Sequence, residues 1–249
     1  MTGITGHLTF ITTYSHYIVR KGDKKTMASK AMVWDATGQK FYETGVSKGG
    51  LYLQDETGAY SKGVAWNGLS SVAENPSGGE ETKIYADNQK YLSLYSAEDF
   101  GATVECYTTP DEFDACDGKK TIAKGVTIRQ QDRKTFGMTY QTILGNDTKK
   151  DEYGYKIHII YGAVAKPSSK THSSTNESPE ASTMSYELST TPVAVTGGKP
   201  TAYLEISSVD VGEAAMTAIK KVLYGDETTD PRLPLPDEIA QIITEAQAA

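Results

Sequence analysis

Between Leu51 and Tyr107 the chain keeps the period of strands, cut into short pieces by glycine, proline, Asp and Asn, and nothing else in it constrains the fold as strongly. In Ala102-Thr103-Val104-Glu105-Cys106-Tyr107 one strand face carries Ala102, Val104 and Cys106, and the other carries Thr103, Glu105 and Tyr107. Gly50 to Gln54, the turn Asp55-Glu56-Thr57-Gly58 and Ala59 to Leu69 predict a hairpin whose turn ends in glycine. Sixteen tyrosines against five phenylalanines and two tryptophans, with 23 glycines, favour short strands joined by turns over a helical bundle.

Residues 73–89 read as a long polar loop rich in breakers, followed by a strand at 90–95. Thr109 as N-cap, Pro110 in the first turn, Glu112 at the reciprocal position and Gly118 past the end predict a short helix that turns Phe113 and Cys116 to the sheet. Further strands are expected near 125–131, 134–144, 154–165, 181–191 and 201–207, with a second polar loop at 166–180. The last part of the chain changes character. Asp210 and Glu213 predict a cap for a helix with Ala215, Ile219, Val222 and Leu223 on one stripe, Lys220 and Lys221 in its last turn and Gly225 as its stop. Ile239, Ile242, Ile243 and Ala246 mark a second helix at 237–247, to be docked on its own sheet or on a neighbouring copy. The fold class expected is mainly β, of the α+β kind.

The chain has 249 residues, room for one large domain or two small ones. Its 25 Lys and Arg stand against 32 Asp and Glu, and a net charge of −7 disfavours ordinary affinity for DNA or RNA. No apolar run approaches the length of a membrane span. Cys106 and Cys116 are too few for a disulfide framework in a chain of this size and read as reduced thiols. The segment 1–26 differs from the rest, carrying Arg20, Lys21, Lys24 and Lys25 against the single acid Asp23. Lys21-Gly22-Asp23 can be encoded by a purine-rich ribosome-binding sequence upstream of Met27, so 1–26 reads as translated leader, with a flexible basic terminus as the other reading.

A search for chemistry finds little. Zinc-protease, serine-hydrolase, P-loop and dinucleotide patterns are missing, and Gly197-Gly198-Lys199 runs into Pro200, which has no N–H for a phosphate. His158 alternates with Ile157, Ile159 and Tyr161 and reads as a sheet-surface residue; His172 sits in a serine-rich loop. Cys106 and Cys116 supply at most half a zinc site. The acidic pairs Glu80-Glu81 and Asp111-Glu112 have local explanations, as loop and as helix first turn. The chain is therefore expected not to be an enzyme, with no catalytic, cofactor or metal residues assigned. A basic cluster remains, Lys124, Arg129, Arg133 and Lys134, suited to pairing with carboxylates on another copy.

One resemblance spans about 35–249. Lys40-Phe-Tyr-Glu-Thr-Gly-Val46, Gly63-Val-Ala-Trp-Asn-Gly-Leu69, Pro76-Ser-Gly-Gly79, Ile84-Tyr-Ala-Asp-Asn88, Ala97-Glu-Asp-Phe-Gly-Ala102, Tyr107-Thr-Thr-Pro-Asp-Glu-Phe113, Arg133-Lys-Thr-Phe-Gly137, Ser178-Pro-Glu-Ala181, Thr190-Thr-Pro-Val193 and the Pro231 to Pro236 run occur in this order. In that order they resemble major tail proteins of long-tailed, non-contractile bacteriophages and prophages of Gram-positive bacteria. The resemblance implies a virion protein with a tail-tube-type β-sandwich or barrel, a short flanking helix and C-terminal helices. Six copies would form a ring, and stacked rings a tube for DNA ejection. The implied partners are other copies, tape-measure and tail-terminator or initiator proteins, and DNA in transit; no membrane and no cofactor is implied. DNA slides past a wall of like sign, so the acidic balance of the chain predicts Asp and Glu in excess along such a lumen, with Arg129, Arg133 and Lys134 turned toward subunit interfaces. The division that follows is a leader at 1–26, an N-terminal arm at 27–44, the tube domain at 45–207 and a helical arm at 208–249. Pro76, Ser77, Gly78, Gly79, Arg129, Arg133 and Lys134 become the candidate inter-subunit residues. The competing class is a carbohydrate-binding β-sandwich module, its aromatic platform supplied by the tyrosines.

Overall fold

The computed structural model describes residues 32–172, 174, 177 and 181–248. The leader expected at 1–26 lies outside the described residues, as does part of the loop at 166–180. The chain divides into two units, Met1–Ala36 and Thr37–Ala249, and in the first the described residues 32–36 form no helix or strand.

In the second unit the described strands are β1 (Phe41–Leu53), β2 (Gly63–Trp66), β3 (Leu69–Glu74), β4 (Ser77–Gly78), β5 (Glu81–Ala86), β6 (Gln89–Tyr95), β7 (Glu98–Asp99), β8 (Gly101–Cys106), β9 (Lys120–Ala123), β10 (Val126–Ile128), β11 (Phe136–Asn146), β12 (Lys150–Ala165), β13 (Met184–Thr190) and β14 (Tyr203–Ser207). A 3-10 turn, Asp111–Ala115, lies between β8 and β9, and helices α1 (Ser208–Val211), α2 (Glu213–Tyr224) and α3 (Pro236–Ala248) follow β14. Eight strands form one antiparallel sheet in the order β2-β1-β11-β12-β13-β8-β3, with β14 beside β12; β4–β7, β5–β6 and β9–β10 are separate two-stranded ladders.

Two strands share one edge of β12. Residues 156–160 pair with β14 and residues 163–165 with β13, so the sheet forks between them. Gly162 stands at the fork with φ 59°. There the period of two is broken: Ile160 and Ala163 both enter one apolar cluster, while Tyr161 enters another on the opposite side. The first cluster gathers Leu51, Trp66, Val104, Cys106, Phe113, Met138 and Leu188, and the second packs Ile157, Ile159, Tyr161 and Ile206 against Met216, Ile219 and Leu223 of α2 and Ile239 of α3. The expected stripes on both helices are the ones that dock, and they dock on the chain's own sheet. Gly225 ends α2 at φ 72°, while neither Asp210 nor Glu213 caps it; Gly212 holds that position without a side-chain bond.

Ala102, Val104 and Cys106 are all buried, as their alternation predicts. Cys116 joins Cys106 in the first cluster; both are free thiols, and burial pushes Cys116 up to about 12. The helix expected to start at Thr109 is only the 3-10 turn, with Pro110 at its N-cap and no side-chain bond there. Strand β1 begins at Phe41, so a division at 44–45 falls inside a strand.

The expected tail-tube sandwich or barrel is corrected by the sheet topology. The fold is mixed α and β, with one larger sheet and several small ones, and no sheet closes into a barrel or sandwich. Closure needs a ladder between the end strands. Those ends, β2 and β3, are joined only by Asn67-Gly68, which with Gly68 at φ 78° carries the chain from one end of the sheet to the other instead of folding it into a hairpin.

The fork yields a first prediction. A Cβ on residue 162 would lie 2.2 Å from the Thr191 carbonyl oxygen in a backbone conformation that L-residues avoid. Gly162→Ala should lower stability by about 2 kcal/mol or more, read as a drop in urea midpoint at unchanged slope.

Candidate functional site

Residues 75–99 leave the sheet after β3 and return at β8 as a two-stranded finger. The loop expected at 73–89 is in fact its first half. Asp87 and Asn88, with φ 51° and 61°, make the two-residue turn that joins β5 to β6. At its neck Ser77 pairs with Asp99 and Gly78 with Glu98. Gly78 has φ 88°, and a Cβ there would meet the Ala97 carbonyl at 2.2 Å. Of the candidate inter-subunit residues, Pro76, Ser77, Gly78 and Gly79 thus form the neck of the finger. Every residue from 73 to 99 except Ser93 is exposed.

The finger is fixed to the sheet by side chains that sequence reasoning did not join. Glu74 ends β3 just before the finger, and Phe100 follows it. One carboxylate oxygen of Glu74 accepts hydrogen bonds from the hydroxyls of Tyr140, at 2.9 Å, and Tyr203, at 2.7 Å. The Phe100 ring stacks on Tyr203 at 4.8 Å between centroids, and its carbonyl accepts a bond from Thr190 Oγ1. The Asn75 amide N–H donates to the Gly101 carbonyl at 2.8 Å.

His158 lies behind these groups. It is 3% exposed, its ring parallel to Tyr140 at 4.5 Å, so the sheet-surface reading of this residue is corrected. Its face of the strand is filled by neighbours in the same sheet, Tyr140 and Thr142 on β11 and Tyr203 on β14, and by Glu74 at the end of β3. Nδ1 lies 2.7 Å from the Tyr203 hydroxyl and Nε2 lies 2.7 Å from Thr142 Oγ1. Thr142 donates its own hydrogen to Glu43 Oε1 at 2.6 Å, as Tyr203 does to Glu74, so each ring nitrogen faces a hydroxyl oxygen whose hydrogen is used by a carboxylate. Lys156 completes the group, 3.2 Å from both Glu43 and Glu205.

Burial holds the His158 imidazole below its ordinary value, against the upward pull of Glu43, Glu74 and Glu205. Burial and the bond to Glu74 push the Tyr203 phenol well up, and burial with the Tyr203 and Glu74 charges does the same for Tyr140. Both stay neutral donors. Each imidazole nitrogen is filled by a hydroxyl and one ring face by Tyr140, so the arrangement holds parts together and presents no free nitrogen to a substrate. Among the described residues no group of three or more His, Cys, Asp or Glu is placed to bind a metal, and no helix is long and apolar enough to cross a membrane.

The basic cluster is divided by the structure. Arg129 and Lys134 are exposed, but Arg133 turns inward, donating to the Ala165 carbonyl at 2.8 Å beside the buried Asp117. Local alternation carries no signal for the Glu74, Tyr140, His158 and Tyr203 group, because its members come from four separate strands or strand ends.

No protein-family model and no curated protein matches the chain. With the sheet open and no family to support them, two expectations fall. One is the virion tube subunit, with its hexameric rings and DNA ejection; the other is the carbohydrate-binding sandwich module.

The buried imidazole sets a pH dependence. Because the folded value lies below the unfolded one, the unfolded chain takes up its proton first as pH falls past about 6.5. Stability should therefore decline from that point until the folded value is passed, and His158→Gln should remove this part of the decline. Chemical denaturation at a series of pH values checks both.

Proposed function

We propose that this chain is a structural protein that associates with copies of itself, with the finger seated on a second copy. The observation that carries the reading is the apolar and aromatic surface that the finger leaves uncovered. The register sets Thr82 opposite Leu94 and Ile84 opposite Leu92, placing Ile84, Leu92 and Leu94 on one face. Their exposures of 39%, 36% and 54% leave that stripe uncovered. On the other face Glu81 is bound by Lys90 and Ser93, with Lys83 at 3.5 Å, among the exposed rings of Tyr85, Tyr91 and Tyr95. A two-stranded hairpin is marginal in water by itself, and one that leaves apolar side chains and tyrosine rings uncovered is what a docking element needs.

Two observations favour a second copy as the partner. Lys120, Lys124 and Arg129 lie exposed on and beside the β9–β10 hairpin with Ile122, Val126 and Ile128, on a chain whose net charge is −7, so each copy carries a basic apolar projection and an acidic remainder. The end strands of the open sheet are further surfaces that pairing between copies would cover.

Sedimentation velocity over a concentration series tests the reading. The wild-type chain should associate as concentration rises. Leu92→Ser with Leu94→Ser, both at exposed positions, should weaken association about tenfold or more without changing the unfolding midpoint. A wild-type chain that stays monomeric up to millimolar concentration, or a double variant that associates as the parent does, would refute it.

A further inference from the structure

The imidazole of His158 stands in a chain of hydrogen bonds that is short of a hydrogen. From Glu43 on β1 the chain runs through Thr142, the two ring nitrogens and Tyr203 to Glu74, at the end of β3 where the finger leaves the sheet. It has four links, each 2.6 or 2.7 Å long, and each needs one hydrogen. Thr142 and Tyr203 bring one each. A neutral imidazole brings one more and leaves a link bare, whereas an imidazolium brings two and completes the chain.

The distances settle which link is bare. Nε2 lies 3.1 Å from Glu43 Oε1 as well as 2.7 Å from Thr142, while Nδ1 is 4.0 Å from Glu74, so the hydrogen of a neutral ring belongs on Nε2. Nδ1 then needs a donor, and the hydroxyl facing it is that of Tyr203, whose single hydrogen has two acceptors to serve. The ring is buried, but the Glu74 side chain is 38% exposed, open to water and bound also by Tyr140 at 2.9 Å. An acceptor left unpaired costs more where water cannot reach it, so beside a neutral ring the Tyr203 hydrogen goes to Nδ1.

We propose that His158 is a pH-sensitive switch at the foot of the finger: a proton taken up from solvent at Nδ1 turns the Tyr203 hydrogen from the ring to Glu74 and ties the foot to the sheet. That hydrogen stays on its own oxygen and changes acceptor only, while the new N–H donates to the same oxygen. Glu74 is followed directly by Asn75, whose amide holds the Gly101 carbonyl across the neck, and Tyr203 stacks on Phe100, so both ends of the finger are coupled to the switch. Around the ring, Glu43 from β1, Glu74 from β3 and Glu205 from β14 favour its charged form, Lys156 on its own strand opposes it, and Tyr140 and Tyr203 stay neutral. Burial outweighs the three carboxylates, so the change falls below about pH 6.5, and at neutral pH Glu74 keeps Tyr140 alone. The switch acts within one chain and does not require the finger to have a partner.

Magnetic resonance on the full chain, labelled with 15N, tests this across about pH 8 to 5. Ring spectra give the tautomer and titration of His158, and amide exchange, corrected for its intrinsic pH dependence, gives the protection of Asn75 against that of the buried Ile159. Neutral His158 should carry its hydrogen on Nε2, and Asn75 protection should rise about tenfold as the ring takes up its proton, with the same midpoint. Tyr203→Phe keeps the ring beside Phe100 and loses the hydroxyl, so His158 should still titrate and the rise should vanish. Glu74→Ala, at an exposed position, should abolish it as well. Protection that ignores pH, a midpoint apart from that of the ring, a rise kept by either variant, or a neutral ring protonated on Nδ1 overturns the proposal.

Discussion

A strand offers each of its edges to one neighbour at a time, and β12 meets that limit by changing neighbours. Where β14 leaves off, β13 takes over, and the left-handed turn of backbone at Gly162 makes the exchange possible. Without it the side chains beyond 162 would fall on the wrong side, and Ala163 and Ala165 would leave the cluster that contains Ile160. Both apolar clusters depend on this. One is held between the limbs of the forked sheet, and the other is left free for α2 and α3 to cover.

The fork also explains why polar groups gather at Glu74, Tyr140, His158 and Tyr203. Two limbs that share a strand diverge, and the gap between them must be filled by groups able to bond across it. Tyr203 on β14 and Glu74 on β3 make that bond, with His158 behind them and Phe100 stacked on the outer ring. A network of this kind gives small net stability for each bond and a large penalty for any one left unmade, so it acts chiefly to select one arrangement. The arrangement selected is the take-off angle of the finger, since Glu74 and Phe100 are the residues at which it leaves and rejoins the sheet.

Much of this was legible wherever the cause is local. The alternation at 102–106, the stripes of α2 and α3, the stop at Gly225 and the inward pair Phe113 and Cys116 each depend on residues a few positions apart, and each is found in place. The finger was hidden because its own turn chemistry looked like loop. Asp87-Asn88 and Pro76-Ser-Gly-Gly79 are breakers, and the slip in register between Ile84 and Tyr85 spoils the alternation that would mark β5 as a strand. His158 was misread because alternation reveals which residues share a face and not how many faces are covered. The open sheet is of the same kind: whether the strands on either side of Asn67-Gly68 pair as a hairpin or take the two ends of the sheet is not written in the alternation within either strand.

The two thiols have a consequence for anyone who handles the protein. Cys106 lies on β8 and Cys116 just past the 3-10 turn, both inside the cluster held between the sheet limbs, with their ionisation pushed up by burial. A thiolate is the form that reacts, so neither can be alkylated, or oxidised to link two chains, while the cluster is intact. Labelling by a small electrophile therefore becomes a clock for the opening of that cluster. The finger can dock, detach or be cut back without setting the clock running, provided the fork beneath it stays closed.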